Sequence, residues 1–196
     1  MNSTPDPLSL AGRTGLPEDL RILVSQYPRE TWQTHENLGE MAQFWLQRHD
    51  MFREMGKILT GAIGDWREGR TDDREFAGFF VPRLNWYLGN LDGHHNIEDH
   101  HYFPVFRKAE SRLERGFDIL DKDHHVIHDA LEMNADAARK FLEALDQGGD
   151  PLKRAGEAYA TENERLMGFL TRHLADEEDL IIPVILDQGE RKLGVT

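Results

Sequence analysis

The sequence of 196 residues contains no cysteine, which excludes disulfides, iron–sulfur ligation and thiol catalysis. Positive charge is also scarce. The chain has 23 Lys and Arg residues and 36 Asp and Glu residues, which gives a net charge of −13. This negative charge disfavours binding to nucleic acids or to anionic membranes. Apolar runs are shorter than the ~18 residues that a membrane helix needs, and the N-terminus lacks the pattern of a secretion signal. We therefore expect a single-domain cytoplasmic protein with no nucleic-acid or membrane partner.

Half of the eight prolines lie near the N-terminus, together with Gly12 and Gly15. Four prolines, Pro5, Pro7, Pro17 and Pro28, interrupt residues 1–34 and prevent a long helix there. This stretch is predicted to be an N-terminal arm. Apolar residues after Pro17 predict one short helix that packs on the main body.

Residues 35–190 have the pattern of long amphipathic helices, because apolar residues recur at steps of three and four. Short connections between long helices favour antiparallel neighbours. The predicted fold class is therefore all-α, an up-down-up-down four-helix bundle that follows a short N-terminal arm. The four helices are predicted over about residues 38–59, 80–105, 117–145 and 150–184.

Two of these helices carry a histidine and a glutamate four residues apart: His94 with Glu98, and His173 with Glu177. Residues i and i+4 lie one turn above each other, so each pair can direct an imidazole and a carboxylate at one point. In both segments the histidine stands ten residues before a proline. This repeated pattern is typical of a metal site.

Seven polar side chains fall in the inward register that the neighbouring Leu, Phe and Trp residues define. Burying them without partners would cost several kcal/mol each, which a net stability of roughly 5–15 kcal/mol does not allow. A single inward histidine is more often a hydrogen-bonded core residue, but the set favours bound metal, and imidazole with carboxylate suits iron, manganese or zinc. The predicted ligands are His49, His94, Glu98, His124, His128, His173 and Glu177.

Other polar residues near these ligands receive different predictions. His95 forms an i, i+4 pair with Asp99, but the distance to the proline selects His94 instead. His101 shares the inward stripe and is expected beside the site or in the core. The acidic run 176–179 is expected to form a mostly solvated helix face, with only its second residue directed inward.

The order of these residues resembles that of the hemerythrin and HHE cation-binding family, over about residues 38–186. The shared order is one inward histidine on the first helix, His-x-x-x-Glu on the second, His-x-x-x-His on the third and a histidine with a carboxylate on the last. The resemblance implies two non-haem iron ions with an oxo or hydroxo bridge, with zinc or manganese as alternatives. It also implies that Glu98 and Glu177 bridge the irons, that His124, His128 and His173 hold one iron, and that His49 and His94 hold the other.

The resemblance further implies an open position on the second iron for O₂, NO or peroxide, used in sensing, scavenging or storage rather than by a dedicated enzyme. Oxygen-carrying hemerythrin has an Asp five residues after its last ligand histidine, whereas this chain has Glu177 at four and Glu178 at five. The glutamate at four is common in HHE-type proteins and argues against simple oxygen carriage. Two alternatives stay open: a di-iron oxidoreductase such as a ferroxidase, peroxidase or NO reductase, and a structural bundle that a dication holds together. No protein partner is indicated.

Overall fold

The computed structural model describes residues 6–195, and every regular element among them is helical. This confirms the all-α prediction, while the up-down-up-down order stays a prediction. Among the described residues, no helix combines the length and apolar character needed to span a bilayer. The α-helices are α1 (Ile22–Gln26), α2 (Arg29–Trp32), α3 (Glu40–Arg67), α4 (Asp73–Ile97), α5 (Phe103–Ala109), α6 (Glu114–Leu145), α7 (Gly149–Gln188) and α8 (Glu190–Leu193).

The second predicted helix is interrupted by a π-helical turn, Glu98–Tyr102, between α4 and α5. The N–H of Phe103 donates to the carbonyl of Glu98, one residue further back than in an α-helix. Pro104 then lies in the first turn of α5, where its missing N–H costs no hydrogen bond. The extra residue rotates the following side chains by about 100° relative to an uninterrupted helix.

The turn between α6 and α7 lies where the Gln-Gly-Gly-Asp-Pro segment predicts it. Gly148 and Gly149 adopt φ values of +64° and +60°, which glycine reaches without a steric cost. These two glycines therefore allow α7 to begin within a few residues of the end of α6.

The described residues form two compact units. The first unit comprises residues 6–50, 94–125 and 171–195. In this unit the described part of the N-terminal arm, residues 6–34, is packed into the hydrophobic core, whereas residues 1–5, with Pro5, lie outside the described residues. The short helix predicted after Pro17 is present as α1. Arm and body share one cluster of buried apolar side chains, which includes Leu16, Leu20, Leu23, Trp32, Phe103, Phe117, Leu180 and Ile181.

The second unit comprises residues 51–93 and 126–170 and has an aromatic core. The ring centroids of Trp66 and Phe141 are 4.6 Å apart, and those of Phe76 and Phe80 are 4.8 Å apart. Gly156 of α7 lies against this core, and a Cβ at that position would be 2.6 Å from the Trp66 ring. The close approach of α7 to the indole therefore requires glycine.

Replacing Gly156 with alanine is expected to destabilise the protein by about 1–3 kcal/mol, because the new methyl group overpacks the core. Chemical denaturation measures the change in the free energy of unfolding. Gly168→Ala is the matched control, since Gly168 lies on the exposed face of the same helix with no neighbour within 4 Å. Gly168→Ala should stabilise the protein by up to about 1 kcal/mol, because alanine has a higher helix propensity than glycine. Equal effects of the two substitutions would contradict the packing described for Gly156.

Candidate metal centre

A cluster of buried histidine and glutamate side chains lies in the first unit. Most of its members are at most 5% exposed, and the His94 side chain, at 10%, is the most exposed of them. The long helices and the π-helical turn each contribute to it. Its members are His49 from α3, His94 and His95 from α4, Glu98 from the π-helical turn, His124 from α6, and His173 and Glu177 from α7.

The potential ligand atoms divide into two groups, and within each group they all lie within 4.8 Å of one another. Glu98 is a member of both groups. A dication generally takes four or more ligands from imidazole and carboxylate groups, so each group is large enough for one ion. The first group is His95, Glu98, His124 and His173, and the second is His49, His94, Glu98 and Glu177.

Each carboxylate faces both groups. One Glu98 oxygen lies 2.9 Å from His94 Nε2, and the other lies 3.6 Å from His124 Nε2. The Glu177 oxygens lie 3.5 Å from His49 Nε2 and 3.2 Å from His173 Nε2. This is the arrangement that two bridging carboxylates would need.

Several inward-facing atoms have no hydrogen-bond partner among the described residues. They include Nε2 of His95, both carboxylate oxygens of Glu98 and Oε2 of Glu177, all of them buried. Buried polar atoms are rarely left without a hydrogen bond, and such a convergence of lone pairs is satisfied by a cation. The donor set therefore fits metal ions.

The electrostatics of the two carboxylates also call for a cation. Burial and the facing Glu177 raise the pKa of Glu98 well above its ordinary value. Burial would raise the pKa of Glu177 too, but His49 and His173 hold it well below its ordinary value. With protein groups alone, Glu98 takes up a proton more readily than an ordinary glutamate and Glu177 less readily; a nearby dication would favour the ionised form of both.

The histidines of α4 are neutral. Burial lowers the pKa of His94 to about 3 and lowers that of His95 well below its ordinary value. The neutral imidazole is the form that binds metal, so both rings are in a ligating state at pH 7.

Three of the histidines are oriented by carboxylates outside the cluster. The Nδ1 atom of His49 lies 3.0 Å from Glu178, that of His124 lies 2.7 Å from Asp99, and that of His173 lies 3.4 Å from Asp123. An imidazole that donates Nδ1–H to a carboxylate directs Nε2 at the metal, as ligand histidines commonly do. In addition, the indole N–H of Trp45 donates to Glu177 Oε1 at 2.7 Å.

His95, which the sequence prediction set aside, lies in the cluster, and His128, which it included, does not. The His95 ring stacks on His124 with a centroid distance of 4.2 Å and contacts His173 edge-on at 5.3 Å. The His128 side chain is 55% exposed and lies 3.8 Å from Asp92. The neighbouring Ile127 occupies the buried position on α6 instead.

The signal for His95 was present in the sequence. Glu98 stands four residues after His94 and three after His95, and both spacings place side chains on one face of a helix. Two adjacent histidines can therefore flank one glutamate and face different metal positions. The distance to the proline was the wrong criterion, because the π-helical turn intervenes between the histidines and Pro104.

Two further predictions about polar residues are wrong. His101 is exposed rather than inward, because it follows the first residues of the π-helical turn and is rotated away from the stripe. Residues 176–179 are mostly buried rather than solvated, since Asp176 and Glu178 are each 2% exposed. Their charges are compensated by arginines of the N-terminal arm.

The sequence model of the hemerythrin HHE cation binding domain matches residues 40–185, about three quarters of the chain. The chain belongs to the hemerythrin HHE family. The match contains all the histidines and glutamates of the cluster. Neither a search of curated proteins nor a search of solved structures gave a match. Membership of this family, together with the buried cluster, supports cation binding in the first unit.

Substituting His95 with alanine is expected to reduce the metal content of the purified protein to about one ion per chain, because its group loses one of three imidazoles. Elemental analysis of protein from metal-supplemented cells measures the ratio. His128→Ala provides the control and should leave the metal content unchanged. If His128→Ala removes metal while His95→Ala does not, the ligand set derived from the structure is incorrect.

Proposed function

We propose that this hemerythrin HHE protein binds two iron ions in the cluster and takes up O₂, NO or peroxide at one of them, for sensing, scavenging or storage. The observation that carries the proposal is the division of the ligand atoms into two groups that share Glu98. The predicted cytoplasmic location and the predicted absence of nucleic-acid partners stay predictions.

The proposed ligand set keeps the count of five histidines and two carboxylates, with His95 in place of His128. His95, His124 and His173 would hold one iron, and His49 and His94 would hold the other. Glu98 and Glu177 would bridge the two, since each faces a histidine of both groups. When bound, the pair of ions supplies redox chemistry and a Lewis-acidic position for a small ligand.

The uneven number of histidines favours a ligand position on the side of His49 and His94. That side has one protein ligand fewer, and the His94 side chain is the most exposed of the cluster. Trp45 lines it, with ring centroids 6.2 Å from His49 and 6.3 Å from His94. A buried position beside an indole suits a diatomic ligand or peroxide better than a larger substrate.

Trp45 also prepares this side of the cluster for a ligand. Its N–H donates to Glu177 Oε1, so one lone pair of the carboxylate is engaged and its plane is fixed. The ring excludes water from the two histidines, which strengthens electrostatic interactions at the site. The chain thus supplies a rigid and largely dry surface for the ligand.

The expected result for protein from iron-supplemented cells is about two irons per chain and an absorbance change when the reduced protein meets O₂ or NO. Glu98→Gln should lower the iron content to one or less and abolish the change, because it removes a carboxylate that both groups share. The exposed Glu132 of α6 gives the matched control, Glu132→Gln, which should retain both properties.

Other outcomes would favour the alternative functions. Zinc that stays bound under ample iron, with no response to O₂ or NO, would contradict the proposal and favour a structural bundle. Sustained turnover of peroxide, NO or ferrous iron would favour a di-iron oxidoreductase that uses the same residues.

A further inference from the structure

The N-terminal arm contributes a buried arginine to the surroundings of the cluster. Arg13 is 7% exposed, and its guanidinium binds both oxygens of Asp123 in a bidentate fork, with Nη1 2.8 Å from Oδ1. Its Nε donates to Asp176 Oδ2 at 2.8 Å. One arginine of the arm therefore joins two buried carboxylates, one from α6 and one from α7.

Asp123 connects Arg13 to a candidate ligand. The Oδ2 atom of Asp123 lies 3.4 Å from His173 Nδ1, on the side of the ring opposite to the cluster. Because the guanidinium fork is planar and binds both oxygens, it fixes the plane of this carboxylate as well as its charge.

A second arginine repeats this arrangement at the other group. Arg29 donates from Nη1 to Glu178 Oε2 at 2.7 Å and from Nε to Asp179 Oδ1 at 2.8 Å. The remaining oxygen of Glu178 lies 3.0 Å from His49 Nδ1. His173 and His49 belong to different groups, so the arm reaches one histidine of each.

The arm itself is held firmly in the first unit. Leu20, Leu23 and Trp32 are each at most 3% exposed and belong to the hydrophobic core. The guanidinium of Arg29 lies 4.8 Å from the centroid of the Trp32 ring, and the carbonyl of Leu8 accepts a hydrogen bond from Arg13. The two arginines are therefore preorganised by the packing of the arm.

We propose that Arg13 and Arg29 are positioning residues of the metal centre, each of which orients one ligand histidine through the carboxylate that the histidine's Nδ1 binds. The inference rests on the proposed metal binding by the cluster, but it does not depend on the metal being iron. It gives the arm, which precedes the family match at residue 40, a role in the properties of the centre.

The physical consequence of losing Arg13 follows from burial. Asp123 and Asp176 would both lose the guanidinium that joins them, although Arg172 would still lie 3.8 Å from Asp176. Removing one partner of a buried ion pair is costly because it leaves buried charge uncompensated. Without the bidentate contact, Asp123 can rotate, and its oxygen then no longer accepts from His173 Nδ1–H. An imidazole without this acceptor is a weaker and less well oriented ligand.

Release of Co²⁺ tests the proposal in the full-length protein. The protein is loaded with Co²⁺, its visible d–d spectrum is recorded, and loss of the ion to excess EDTA is followed. Arg13→Gln is expected to accelerate the loss about tenfold, the lower end of the range for outer partners of ligand histidines, and to shift the d–d bands. Arg29→Gln should accelerate it less, because the Arg29 side chain is 41% exposed and water can replace part of its hydrogen bonding.

A double substitution tests whether Arg13 acts through Asp123. In an Asp123→Asn background, Arg13→Gln should add little to the rate of loss, whereas independent effects would add fully. Full additivity would overturn the route from Arg13 to His173. If Arg13→Gln does not fold, the same test is made with Arg29→Gln and its carboxylate Glu178, which contacts His49.

Arg115→Gln is the matched control for loosening of the arm. Arg115 of α6 binds Asp19 of the arm at 2.6 Å in an exposed ion pair that contacts no candidate ligand. Arg115→Gln should therefore leave the rate of Co²⁺ loss and the d–d spectrum unchanged. If both Arg13→Gln and Arg29→Gln lose Co²⁺ at the wild-type rate with an unshifted spectrum, the positioning role of the arginines is overturned, while the proposed metal binding stands. Failure of the wild-type protein to bind Co²⁺ would instead overturn the proposed metal binding.

Discussion

The burial of Glu98 and Glu177 in one pocket is the constraint on which the rest of the first unit depends. Two carboxylates that face each other away from water need compensating positive charge or a proton. The chain surrounds them with imidazoles whose Nε2 atoms face inward, and it places further carboxylates behind several of those rings. Arginines of the arm in turn bind two of these outer carboxylates, Asp123 and Glu178. Each layer is therefore stabilised by the layer outside it.

The π-helical turn follows two adjacent histidines of α4 and begins at a glutamate that belongs to both groups of candidate ligands. Glu98 begins the turn, with His94 one full helical turn before it and His95 three residues before it. A single α-helix could not continue through Pro104 in register without losing a hydrogen bond, and the wider turn accommodates it. Departures of this kind from regular helix are frequent at functional sites. Here the departure separates the polar stretch of α4 from the apolar α5, whose Phe103 and Phe106 are buried.

Six of the seven predicted ligands lie in the cluster. Both these six and the helical fold follow from periodicity, because the 3.6-residue repeat fixes which residues share a face. Periodicity does not decide why His95 lies in the cluster and His128 does not. Inward stripes are wide, and Ile127 and His128 are adjacent candidates whose choice depends on the rotation of α6 within the packed core. The burial of residues 176–178 is not predicted because their arginine partners in the arm are more than 140 residues away, in a segment whose sequence carries no motif. A long-range ion pair leaves no local pattern.

The candidate metal centre has two parts, which are the ligands inside the family match and the arginines of the arm that precedes it. Residues 40–185 contain every member of the cluster and the carboxylates behind it, whereas Arg13 and Arg29 precede this span. A carboxylate that is buried beside a ligand histidine without a cation tends to take up a proton, and it then no longer accepts the imidazole N–H. The buried acids at 176 and 178 therefore need basic partners, and the arm provides one for each, in addition to Arg172 of α7, which lies 3.8 Å from Asp176. We infer that the matched segment supplies the metal chemistry, while the strength and orientation of its histidines depend on a segment outside it.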